Sequence, residues 1–188
     1  MSIRHKYSVC FQPDNGLVIQ VQRMKIKLAN KIGWYNSKNS LAHLTIAEFY
    51  ASENEISRIE NQITRCCNRF SPVDVRLQSF DTYSNGTFFL KVEEVSKLIL
   101  KDFAQQIHNE LQLKKAYKCT DPHLSIARKL NSEKIQQAVE LLEAPALYFQ
   151  CNQIALRKLN LKKKQFDIIA LYPFLNQNDN RSKQMSLF

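Results

Sequence analysis

The 188-residue sequence contains only three glycines and five prolines, and neither a GxGxxG run nor a GxxxxGK run followed by Ser or Thr occurs in it. Loops that wrap backbone amides around a nucleotide's phosphates need such glycines, so a Walker-type or dinucleotide site is not expected. Cysteine is present five times, an odd count without a CxxC, which indicates reduced thiols rather than a disulfide framework and gives no zinc pattern. Cys66 and Cys67 are adjacent on a helical stretch, which suits packing better than chelation. No run of about 18 apolar residues is found, and the opening MSIRHKYSVCF has no apolar signal region, so no membrane contact and a cytoplasmic location are expected. Acidic residues are the minority, 17 against 27 lysines and arginines.

That imbalance gives a net charge of +10 and a pI near 9.4. Excess cations raise the local concentration of phosphates, pointing to nucleic acid or nucleotide, although a scattered basic surface is also simply well solvated. With 44% hydrophobic residues, the chain is long enough to bury the core of one large domain.

Apolar periodicity alternates between strand and helix. Strands are expected over 5–12, 41–50, 72–83, 86–93, 123–130, 146–159 and 166–174, and helices over 17–34, 52–68, 96–111 and 132–143. Ser52-Glu-Asn-Glu reads as a capping box. Lys162, Lys163 and Lys164 read as a charged turn between the last two strands. The order strand-helix-strand-helix-strand runs twice, over about 4–83 and 84–174, as an internal duplication within one domain of residues 1–175. An α+β fold is expected, with two antiparallel-rich sheets facing each other across a cleft and helices outside. The polar tail 176–188 is expected to be flexible.

Of four histidines, two stand in one repeated context, AHLTIAEF at 42–49 and PHLSIARKL at 122–130, and His123 follows His43 by 80 positions. Alternate residues of a strand share a face, so His43 goes with Thr45 and His123 with Ser125. A single His-x-Thr on a strand is usually structural; two copies at matching places in matching halves suggest one cleft. Two imidazoles divide acid and base roles near neutral pH, while hydroxyls bind phosphate oxygens without burying another charge. That quartet suits metal-free phosphodiester chemistry. His5 and His108 lack such company and read as surface residues.

At these residues the chain resembles the two-histidine phosphoesterase superfamily, in its 2',5' RNA ligase-like or cyclic phosphodiesterase branch. The paired signature is His43-Leu-Thr-Ile and His123-Leu-Ser-Ile, and the similarity runs from about Lys6 to Phe174. The second hydroxyl is Ser where Thr is commoner. The resemblance implies a bilobal fold, no metal and no cofactor. It implies acid–base catalysis by His43 and His123 on 2',3'-cyclic phosphates or 2',5' linkages of RNA or nucleotides, reversible as RNA ligation. Thr45 and Ser125 would be phosphate ligands, and Arg128 would match an arginine that helps hold substrate. Strand parity, however, puts Arg128 opposite His123 unless the strand ends or bulges. A monomer is expected. A module that only binds RNA or nucleotide ends is the competing reading.

Tyr7, Phe11 and Phe88 are aromatic candidates for stacking a base, with the core as the alternative; Trp34 caps either the core or the cleft and is left out of the site. The terminal QMSLF resembles the peptide that binds the bacterial sliding clamp. Gln184 would anchor by hydrogen bonds while Leu187 and Phe188 fill an apolar pocket.

Overall fold

The computed structural model describes residues 3–177. In chain order the elements are β1 (His5–Phe11), α1 (Asn15–Ile32), β2 (Leu44–Ala51), α2 (Glu53–Arg69), β3 (Val73–Thr82), β4 (Phe88–Val92), α3 (Glu94–Leu111), β5 (Tyr117–Lys118), β6 (His123–Ala127), α4 (Ser132–Leu141), β7 (Leu147–Cys151), β8 (Gln153–Asn160) and β9 (Gln165–Pro173). Local chemistry fixes the helix starts. Asp14 accepts from the Leu17 amide at 2.9 Å to open α1. At α2, Ser52 and Glu55 cap each other reciprocally, with the Ser52 amide donating to Glu55 Oε2 at 2.8 Å. Caps of this kind contribute about 1 kcal/mol each.

Every described strand pair is antiparallel, and the strands form one hydrogen-bonded path, β7-β3-β4-β6-β2-β1-β8-β9, with β5 beside β2. The α+β, antiparallel architecture is therefore as expected. The path falls into two four-stranded groups, β9-β8-β1-β2 and β6-β4-β3-β7, which meet at a seam where only Leu44 pairs with Leu124. Strands from each sequence half cross over into the other group. β3 pairs with β4 and β7 of the second half, while β8 pairs with β1 of the first. Leu44 and Leu124 are buried in one continuous core with Leu17, Val21, Ile59, Ile63, Leu100 and Ile107 of the helices.

Residues 146–159 form two strands rather than one. After Cys151 the chain leaves β3 and, beyond Asn152, enters the other group beside β1 and β9; an unbroken β-type composition carries no mark of a change of neighbour. The two-residue β5, in the polar stretch after α3, is additional. Cys66 and Cys67 are buried on α2.

His108, expected at the surface, is buried and its Nε2 lies 2.9 Å from the Ile46 carbonyl. Residues 176 and 177, expected to open a flexible tail, are held in place. The amides of Leu175, Asn176 and Gln177 donate to the carbonyls of Cys67, Phe70 and Asn68, fastening this segment to the end of α2. Gln184, Leu187 and Phe188 lie outside the described residues. Among the described residues no helix is long and apolar enough to cross a membrane.

Candidate active site

The seam decides what the two motifs do together. Continuing the Leu44–Leu124 register sets His43 across from Ser125 and Thr45 across from His123, with the two imidazoles on the diagonal. Diagonal neighbours of an antiparallel pair are about 7–8 Å apart, and alternation directs all four side chains away from the buried leucines. All four line one cavity of about 110 Å³, large enough to admit a tetrahedral anion.

Immediately after each motif residue pair the strand bulges. Val9 pairs with Ala47 and Cys10 with Thr45, so Ile46 is the extra residue in β2; Phe88 pairs with Ala127 and Phe89 with Ser125, so Ile126 is the extra residue in β6. A bulge re-aims the side chains beyond it. Glu48 and Arg128, which stand 80 positions apart, are thereby turned onto the histidine face, and both line the cavity. The parity objection to Arg128 is removed by this bulge, and β6 ends one residue before it. Glu48 is neutralised by Lys6, whose Nζ lies 2.6 Å from its carboxylate.

Both imidazoles are held alike. His43 Nδ1 lies 2.6 Å from the Leu41 carbonyl and His123 Nδ1 lies 2.7 Å from the Asp121 carbonyl, each two residues upstream. A carbonyl only accepts, so Nδ1 carries the hydrogen in both rings, and in the neutral form Nε2 has a free lone pair.

Their surroundings differ. Desolvation holds the His43 pKa well below its usual 6.5, helped by the charges of Arg157, Lys25 and Arg128, against a smaller opposing effect of the Leu41 carbonyl. His123 is also lowered by desolvation, but the carbonyl and carboxylate of Asp121 act against the fall. Asp121 is held by Lys97 Nζ at 2.6 Å and accepts a short hydrogen bond from the Tyr83 hydroxyl. Phe89 and Tyr83 flank the His123 ring, with centroids 5.0 and 5.1 Å away.

Lys25 is 1% exposed. Its Nζ donates to the carbonyls of Ser40 at 2.7 Å and Ser37 at 3.2 Å, at the cavity wall. Burial lowers its pKa from 10.5 to about 8. Sequence reading passed over it, although it interrupts the apolar stripe of α1 between Val21 and Leu28. Such a lysine in a buried stripe was the available signal.

Tyr7 and Phe11 do not reach the cavity. On β1 they alternate with Lys6, Ser8 and Cys10 and point into the core, where Tyr7 stacks on Phe49. Phe88 is likewise buried against Phe80; its neighbour Phe89 stands beside His123. Among the described residues no three His, Cys, Asp or Glu side chains gather as a metal site.

Residues 13–163 match the 2'-5' RNA ligase superfamily. The chain belongs to that superfamily. Solved structures share the fold. Escherichia coli LigT without ligand superposes with a TM-score of 0.66 at 10% identity, covering 92% of this chain and 98% of LigT. TT0787 of Thermus thermophilus gives 0.58 at 17% identity, covering 94% and 100%. Usb1 of Kluyveromyces marxianus gives 0.52 at 12% identity, covering 90% and 98%. Sequence comparison finds no match among curated proteins. Membership of the 2'-5' RNA ligase superfamily supports phosphodiester chemistry on RNA or nucleotides as the class of activity.

Proposed function

We propose that the chain is a metal-independent phosphodiesterase that opens 2',3'-cyclic phosphates or cleaves 2',5' linkages in RNA or nucleotides, and whose reverse reaction joins RNA. The observation that carries this reading is the matched tethering of both imidazoles through Nδ1, with both rings at one cavity. LigT, which shares the fold, has been solved with 3'-AMP.

In the forward direction His43, the more strongly deprotonated ring, takes a proton from water through Nε2 as the water oxygen bonds to phosphorus. The bond from phosphorus to one ribose oxygen breaks, and Nε2–H of protonated His123 supplies the proton to that oxygen. A phosphate monoester and a free hydroxyl result, with His43 charged and His123 neutral until both exchange protons with solvent. In the joining reaction a ribose hydroxyl takes the place of water: one ring removes its proton as its oxygen bonds to the phosphorus of a 2',3'-cyclic phosphate, the bond from phosphorus to one ring oxygen breaks, and the other imidazole protonates that oxygen. Thr45 and Ser125 donate to the non-bridging oxygens, and Lys25 and Arg128 offset the charge that accumulates there.

Turnover of a 2',3'-cyclic-phosphate oligonucleotide in EDTA tests this, with product analysis to separate 2'- from 3'-phosphate. No turnover across a panel of cyclic and 2',5'-linked substrates rejects it in favour of a module that only binds RNA ends.

The terminal QMSLF supports a second, compatible proposal, that Gln184, Leu187 and Phe188 tether the protein to a bacterial sliding clamp. Clamp binding that is lost on deleting 184–188 is expected; equal binding with and without those residues rejects it.

A further inference from the structure

A second cavity, of about 500 Å³, opens beside the histidine pocket and shares Ser37, Ser40 and Arg128 with it. It lies between the loop that follows α1 and the turn joining β8 to β9. Lys38, Lys129, Lys163 and Lys164 join Arg128 on its walls, and no carboxylate lines it. Lys163 pairs with Asp167 at 3.3 Å, whereas Lys38, Lys129 and Lys164 have no acidic partner among the described residues.

Three of the six non-glycine residues with positive φ among the described residues line this groove. Ser37, Lys129 and Lys164 hold φ of 74°, 57° and 53°, left-handed conformations that disfavour side chains and are retained where the surroundings enforce them. At one end Gly33, with φ of 76°, takes the chain out of α1. Trp34 follows it, 68% exposed on the groove wall.

We propose that this groove holds the RNA strand leading away from the reacting phosphate, so that the substrate class is a single-stranded oligoribonucleotide rather than a mononucleotide. Cations along a groove track a phosphate backbone, and an exposed aromatic at its side stacks a base whatever the sequence. The small histidine cavity takes the phosphate alone; the neighbouring groove, several times larger, is the space continuous with it for what the phosphate carries.

The location rests on the acid–base reading, and the test separates the two. RNA ending in an open 3'-phosphate is not consumed, so the native protein is titrated with a six-nucleotide strand of it. Anisotropy of a 5' label reports binding, and emission of Trp34, the sole tryptophan in the sequence, reports the groove on unlabelled RNA. The strand is expected to quench Trp34, and a nucleoside 3'-phosphate to leave it unchanged. Trp34→Ala is expected to weaken the strand about tenfold, with Trp34→Phe restoring most of the loss. Lys164→Ala is expected to reduce the slope of log affinity against log salt by about 0.7.

Absence of RNA binding, unchanged Trp34 emission at anisotropy saturation, or an unaltered salt slope in Lys164→Ala overturns the proposal. None of these readouts needs turnover. An inactive protein that binds RNA in this way therefore rejects the acid–base reading and leaves the groove standing.

Discussion

Leu44 and Leu124 are the single residue pair joining β2 to β6, and each directly follows one of the two site histidines in sequence. The contact is apolar and buried, yet its main consequence lies on the opposite face of the sheet. It sets the diagonal on which His43 and His123 meet across one anion-sized space.

If the two rings act as one acid–base unit, His43→Ala and His123→Ala each lower kcat by about 10²–10⁴-fold. The double variant falls little further than either single one. Steady-state kinetics, with circular dichroism confirming the fold, checks this. A single variant with near-native kcat, or single effects that multiply in the double, removes the paired mechanism.

Both histidines titrate below their usual 6.5, so kcat/KM, which reports the free enzyme, is expected to be bell-shaped with its optimum on the acid side of 6.5. A bound anion favours protonated rings, so the limbs of kcat are expected at higher pH. In Asp121→Asn the carboxylate that favours charged His123 is gone, and the alkaline limb of kcat/KM moves to lower pH. An alkaline limb that stays in place in Asp121→Asn would show that His123 is not the acid.

The buried Lys25 makes stability depend on pH in the alkaline range. Its pKa is about 8 in the folded protein and near 10.5 unfolded. Between those values the unfolded chain holds the extra proton, so stability rises with pH until about 10.5. The gain approaches about 3 kcal/mol. Denaturant titrations of native protein and Lys25→Met across pH 7.5–10.5 read it as a difference that grows with pH in favour of the native protein. Parallel pH curves would place the lysine's titration elsewhere. Lys25→Met is also expected to lower kcat/KM, since a cation at the cavity wall is lost.

Gly86 holds φ of 77°, and a Cβ there would lie 2.2 Å from the Leu130 carbonyl oxygen. Gly86 ties the turn from Tyr83 to Thr87 against Leu130 through the Leu130 amide, and Tyr83, Asn85 and Thr87 all line the histidine cavity. Gly86→Ala is expected to cost more than about 1 kcal/mol of stability and to lower activity with it. Native-like melting of this variant would contradict the close approach.

Sequence reading succeeded where one face of an element is buried. The alternation around His43 and His123 set each imidazole with its hydroxyl, and the capping box at Ser52 located α2. It failed where a side chain's neighbours are set by distant chain. Tyr7 and Phe11 are aromatic on a strand beside the site, but parity turns them inward, and only the pairing of β1 with β2 reveals which alternate set faces the cleft. Arg128 reaches the cavity through a bulge whose extra residue, Ile126, has no distinguishing chemistry. His108 looked solvated on its helix because its acceptor, the Ile46 carbonyl, comes from a strand 62 positions away.

The crossing of β3 and β8 bears on how the molecule comes apart. One leucine pair is a weak hinge, and two lobes joined only there would melt separately. Because the first half of the chain gives β3 to one group of strands and the second half gives β8 and β9 to the other, neither group retains its full set of strands when the other is lost. Cutting the chain near residue 84 would leave β3 without either of its partners and β1 without β8. Unfolding is therefore expected to be a single cooperative event, and two pieces cut there would regain a complete sheet only by pairing with each other.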